Sequence, residues 1–205
     1  YLGLLGYKSL RWAGLDKNRS LIYGGSCGLI YLTSIEILDG FSEGWGFSIG
    51  DMAANISGTG IFIAQEHFFE KQYIIAKYSY KKSIYTKNDT SSFLGKTFLE
   101  NTLKDYNGQT YWLSIDINSI TNRKILPYYM NIAIGYSAEG MYRAEKKYDN
   151  LYGTSRYRQY FISFDIDITK IKTKNKLIKT VTKCFAFIKI PFPTIEFNNS
   201  RNKNI

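Results

Sequence analysis

Tyr111-Trp112-Leu113-Ser114-Ile115-Asp116-Ile117-Asn118 alternates apolar or aromatic residues with mostly polar ones. A period of two is the mark of a strand whose two faces differ. The same alternation recurs in Ile74–Tyr80, in Met130–Ser137 and in Tyr160–Ile168, where Asp165 and Asp167 share the polar face. A weaker fifth strand is read at Phe187–Ile190 or at Ile195–Phe197. These segments make the second part of the chain an antiparallel sheet.

The lipid-facing strands of outer-membrane barrels share this pattern, with aromatic residues at the ends and one polar face. A half-solvated soluble sheet alternates in the same way. Tyrosines near the strand ends and the paired Asp in one strand favour a membrane. The strand count falls short of the roughly eight that close the smallest such barrels. A partial barrel, or a sheet completed by helices, is therefore expected.

The first seventy residues have a different texture. Ser20 to Ile35 carries no charge, and neither does Met52 to Gln65. Both runs are shorter than the roughly 20 residues that span a bilayer as a helix. Each reads as a buried, re-entrant or interfacial helix. Gly24 and Gly28, then Ala54 and Gly58, repeat small residues at a spacing that lets helix backbones approach closely. Tight packing of two ordinary core helices accounts for it equally well. The Gly-rich stretch from Asp39 to Gly46 connects the runs, and Ser48-Ile-Gly-Asp51 reads as a capping box opening the second helix. The expected fold class is α+β: an N-terminal pair of apolar Gly-rich helices (1–71), an antiparallel sheet or partial outer-membrane-type β-barrel (72–205), and a late basic amphipathic helix, within a single domain.

Composition removes several function classes. With 44% hydrophobic and 21% charged residues, disorder is excluded. Two distant cysteines, Cys27 and Cys184, exclude a disulfide scaffold. His67 stands alone, which argues against a metal site, and no cofactor is expected. The formal charge is +10, yet residues 141–205 hold 14 Lys+Arg against 5 Asp+Glu. Lys170, Lys172, Lys174, Lys176, Lys179 and Lys183 lie in one acid-free segment, and Leu177, Ile178, Val181 and Phe185 follow at helical spacing. The segment reads either as a surface loop leading into a helix or as a helix lying on anionic lipid, where each basic side chain contributes about 1 kcal/mol. With no nucleic-acid-binding motif present, membrane lipids are the expected partners and nucleic acid is not. The chain begins at Tyr1 without Met, as a processed or a truncated chain would. Asn198 to Ile205 forms a polar tail.

Four polar residues mark the apolar half as a candidate catalytic site. Glu36 and Asp39 share a helical face, Asp51 follows the Gly-rich connection, and Asn55 lies one turn beyond it. Buried carboxylates are costly unless partnered. Two with separated pKa values would serve as general acid and base. Helix capping accounts for Asp51 and Asp39 without function; Glu36, set between Ile35 and Ile37, is harder to explain that way. Gln109 and Trp112 are further candidate ligand contacts.

Residues Ile35 to Gly58, Lys104 to Ser114, Gly135 to Met141 and Ile190 to Glu196 resemble an uncharacterised family of predicted periplasmic lipoproteins. More distantly, Asp16, Lys17, Glu36, Asp51, Asn55 and Gly58 are similar to the polar pattern of VanZ-like envelope proteins. This chain has Asn18-Arg19-Ser20 where those relatives often carry His, and no lipid-attachment Cys at its start. The resemblance implies a Gram-negative envelope location, at the outer membrane or its periplasmic face. The expected role is an accessory subunit or lipid-binding module working with other envelope proteins. The alternative is an enzyme acting on lipid or cell-wall precursors through Glu36 and Asp51, with Asp39 or Asn55 orienting them.

Overall fold

A computed structural model of the chain describes residues 1–41, 46–88, 94–141 and 155–198. The centre of the Gly-rich connection (42–45) and most of the polar tail (199–205) lie outside the described residues. Two compact units are present, Tyr1–Gln72 and Tyr73–Ile205.

The first unit holds three helices rather than the expected pair: α1 (Leu2–Trp12), α2 (Lys17–Gly40) and α3 (Ile49–Phe69). Asp16 caps α2 by accepting from the Arg19 N–H at 3.0 Å. Lys17 does not pair with its neighbour but reaches Glu70 at 2.6 Å, just past the end of α3. That hydrogen bond holds the Glu70 carboxyl below its usual range. Ser48 caps α3 through the Asp51 N–H, as the capping box predicts.

Glycine decides how α1 meets α2. A Cβ on Gly24 would stand 2.3 Å from the Tyr7 nitrogen, and one on Gly6 would stand 2.6 Å from the Gly24 oxygen. The two backbones touch, as small residues at four-residue spacing permit. Gly24 and Gly28 thus face α1. Gly58 has nothing within 4 Å of where its Cβ would be, so the second small-residue pair makes no comparable crossing.

At 24 residues α2 is about 36 Å long. It is long and apolar enough to cross a membrane by length and composition, although core helices of soluble proteins meet the same test. The shorter estimate from the uncharged run fails because the helix continues past Glu36 and Asp39. Leu21 is the one large hydrophobic buried in this unit among the described residues, while Ile22, Tyr23, Ile30, Tyr31 and Leu38 are exposed.

The second unit is a five-stranded antiparallel meander in sequence order: β1 (Ile74–Tyr80), β2 (Gln109–Ile115), β3 (Met130–Glu139), β4 (Tyr157–Ile166) and β5 (Thr194–Asn198). The short helices α4 (Tyr85–Asn88), α5 (Phe98–Lys104) and α6 (Ile117–Thr121) fill the connections, and α7 (Lys176–Cys184) precedes β5. Asp105 pins the corner between α5 and β2, accepting from Tyr80 Oη, the Ser83 N–H and Ser83 Oγ. Phe187–Lys189 runs parallel to the outer edge of β1, with the Tyr78 N–H donating to Phe187 O and the Lys189 N–H donating to Tyr78 O. Both places read as a fifth strand therefore pair with the sheet, and the two prolines sit in the crossing between them. The sheet does not close into a barrel.

Its curvature follows from one contact. Lys77 on β1 donates to the Ile166 carbonyl and meets Asp165, both on β4. In a flat sheet those strands would lie about 14 Å apart, beyond the reach of a lysine side chain. The sheet therefore curls around its polar face.

The glycine geometry predicts opposite effects for two alanine substitutions. Gly24→Ala should destabilise the helical unit by about 1–3 kcal/mol through overpacking. Gly58→Ala should stabilise it by up to about 1 kcal/mol through helix propensity. Chemical unfolding of the full chain followed by far-UV circular dichroism measures both.

Candidate functional site

The face buried by the sheet is the polar one. Ser114, Ala133, Asn131, Ser163, Asp165, Lys77 and Trp112 line the concave side, all buried. Lys77 and Asp165 form an ion pair at 2.6 Å with side chains 1% and 0% exposed. A continuous hydrogen-bonded chain extends from it. Ser114 Oγ donates to Asp165 at 2.6 Å, Asn131 donates to Ser114 at 3.0 Å, and Lys170 donates to Asn131 at 3.1 Å and to Asp116 at 2.8 Å. Lys189 enters from the strap beside β1, donating to Ser163 Oγ and to the Phe164 and Ile190 carbonyls. Its ammonium stands 4.4 Å from the centre of the Trp112 ring, a cation–π contact. Burial lowers its pKa, Asp165 opposes that shift, and Lys77 adds to it. Trp112 donates its indole N–H to Ser79 Oγ and covers Gly135, where a Cβ would lie 2.6 Å from the ring. Trp112 is thus a packing residue.

The convex face carries the apolar residues in rows set by strand register. Tyr78, Tyr111, Tyr136, Tyr160 and Phe197 are cross-strand partners in sequence, an aromatic row across all five strands. The next row is Ala76, Leu113, Ile134, Ile162 and Ile195, and the one after it is Ile74, Ile115, Ile132 and Phe164. Tyr111, Leu113, Ile134, Tyr160, Ile162, Phe164, Ile195 and Phe197 are all substantially exposed. Contiguous apolar patches of this kind mark a surface that meets a partner or a membrane. On the far side of the aromatic row lies Arg158, paired with Ala138. Beside it a groove of about 440 Å³ is walled by tyrosines and two arginines, and Gln109 lines it.

Ser48 links two of the four candidates, donating its N–H to Glu36 and accepting the Asp51 N–H. Glu36 is buried and accepts the Ser48 N–H at 3.2 Å, tying the end of α2 to the start of α3. Asp51 is exposed in the first turn of α3, and Asn55 is half-buried one turn on. Asp39 accepts the Gly46 N–H through its backbone carbonyl. No hydrogen bond or ion pair joins any two of the four among the described residues.

Of the six lysines, Lys170 turns inward to Asp116 and Asn131 and leaves the surface group. Lys172 stands 5.7 Å from the Tyr128 ring centre. Lys174, Lys176, Lys179 and Lys183 are exposed, the last three on α7. The apolar side of α7, with Leu177, Ile178 and Val181, is exposed as well. Lys77, Lys189, Arg156 and Arg158 escape sequence reasoning. The two arginines sit two apart in a strand pattern, a signal that the strand could have been extended back to them.

Residues 6–65 match the model of a family described as predicted periplasmic lipoprotein (DUF2279). No curated protein and no solved structure matches the chain. The match supports an envelope-associated, periplasmic setting. It ends within α3, so the resembling blocks at 104–114, 135–141 and 190–196 lie outside it, and the VanZ-like similarity gains nothing from it.

The buried pair gives a clear energetic prediction. Lys77→Met or Asp165→Leu alone should destabilise the sheet by about 3–5 kcal/mol, because each leaves an uncompensated buried charge. The combined Lys77→Met/Asp165→Leu chain should recover most of that loss. A double-mutant cycle on unfolding midpoints reads the coupling.

Proposed function

We propose that the protein is an outer-membrane-associated envelope protein whose curled sheet turns its apolar rows toward lipid. The observation that carries this is the inversion of the sheet, with charges and amides inside and isoleucines outside. A soluble sheet gains its stability by the opposite arrangement. Outer-membrane strands combine an apolar outer band, aromatic rows at its limits and a polar interior. Six residues separate Tyr136 from Met130, about 20 Å along the strand, which suits most of such a band. The exposed amphipathic α7 fits alongside, with its lysines on lipid headgroups.

The edge of the sheet supports an accessory role in a larger assembly. β5 ends the strand order, so its outer side has no strand partner among the described residues. Hydrocarbon does not tolerate an open edge. Another envelope protein pairing there would satisfy it. The enzymatic alternative would use Glu36, of which one carboxylate oxygen accepts the Ser48 N–H.

Membrane fractions expressing the full chain provide the test. The protein should resist extraction by high salt and by urea. Ile134→Asp/Ile162→Asp, placed in the aliphatic row, should release it into the wash. Lys176→Gln/Lys179→Gln/Lys183→Gln should weaken association without abolishing it. Recovery of the unaltered chain as a detergent-independent monomer would sink the proposal.

A further inference from the structure

We infer that the groove beyond the aromatic row holds the phosphate headgroup of an anionic phospholipid, whose acyl chains then lie over the aliphatic rows. This inference rests on the membrane reading of the sheet. The groove is lined by Tyr106, Tyr111, Tyr136, Met141, Arg156 and Arg158 among others, and no carboxylate lines it among the described residues. Its volume of about 440 Å³ falls within the roughly 300–1,000 Å³ of small-molecule sites. Arg158 is exposed, and its guanidinium carbon stands 5.5 Å from the Tyr136 ring centre. Stacking on an aromatic face orients the planar donor fork, and such a fork matches phosphate oxygens two at a time. Among the described residues Glu139 is the acid near in register; it takes hydrogen bonds from Gln159 and from Tyr157 Oη, and Tyr157 itself lines the groove.

The order of side chains along the convex face carries the argument further. Moving along the sheet, the surface passes from Arg158, through the tyrosine row, to the leucine and isoleucine row. Each step is two residues, about 7 Å. A phospholipid presents the same sequence of chemistry, from phosphate through glycerol ester to hydrocarbon. A free phosphate would use the arginines alone and leave the aromatic and aliphatic rows uncovered. The lipid is therefore the ligand that the whole face fits.

The detergent-solubilised full chain, titrated with fluorescent phosphatidylglycerol and with phosphatidylcholine, tests this. Phosphatidylglycerol should bind roughly tenfold more tightly or better. Arg156→Gln/Arg158→Gln should erase that preference, while the same variant still floats with neutral phosphatidylcholine vesicles. Lys176→Gln/Lys179→Gln/Lys183→Gln should reduce the preference by less than the arginine variant does and leave it measurable. Arg158→Glu alone serves if the double variant does not fold. An unchanged preference in the arginine variants would overturn the inference, as would displacement of the lipid by an equal concentration of glycerophosphate. If the unaltered chain fails to float with any vesicle yet keeps its arginine-dependent preference in detergent, the membrane reading falls and the groove stands.

Discussion

The sheet unit is organised by the buried pair between Lys77 and Asp165. Two side chains from strands that are third neighbours cannot meet unless the sheet bends, so the pair and the curl imply one another. Taking two charges out of water is costly, and their attraction offsets that cost only when further hydrogen bonds complete the shell. Ser114, the Ile166 carbonyl and the relay through Asn131 to Lys170 supply part of that shell, while Asp165 Oδ1 is buried without a hydrogen-bond partner among the described residues. Once the polar face is committed to this network, the isoleucines and tyrosines of the same strands are forced outward. The exposed apolar rows are thus the geometric complement of a polar interior.

The helical unit achieves its packing by other means. Between α1 and α2 there are few large apolar side chains to interlock, and the contact is backbone against backbone at Gly3, Gly6, Gly24 and Gly28. Such contact relies on dispersion at short range rather than on burial of apolar area. Both units therefore leave large hydrophobic side chains on their surfaces, one because its interior is polar and the other because its helices meet through glycine.

Much of this was legible in the sequence, within definite bounds. Alternation marks Ile74–Tyr80, Met130–Ser137 and Tyr160–Ile168 as strands because side chains must alternate across a pleat. It is silent on which face is buried, since the pattern reads the same from either side. That choice depends on a contact between residues 77 and 165, which local periodicity does not encode. The run of lysines from Lys170 onward looks uniform in sequence, yet only Lys170 falls within reach of Asp116. In the helical half, Gly24 and Gly28 announced a close crossing but not its partner. Their partner is a short helix whose Lys8 and Arg11 interrupt the apolar pattern. Glu36 was rightly singled out as buried, and its partner is the backbone of the next helix rather than another acid.

The contents of the curl have a further consequence. Small barrels fill their interiors with side chains, whereas only wide ones leave an aqueous lumen. Here the concave space is taken by an indole, two ammonium groups and a carboxylate bound to one another. A solute passing through would have to break the ion pair and lift Lys189 from the ring of Trp112. The concave side is accordingly filled by these side chains, and opening it would cost the unit its buried ion pair.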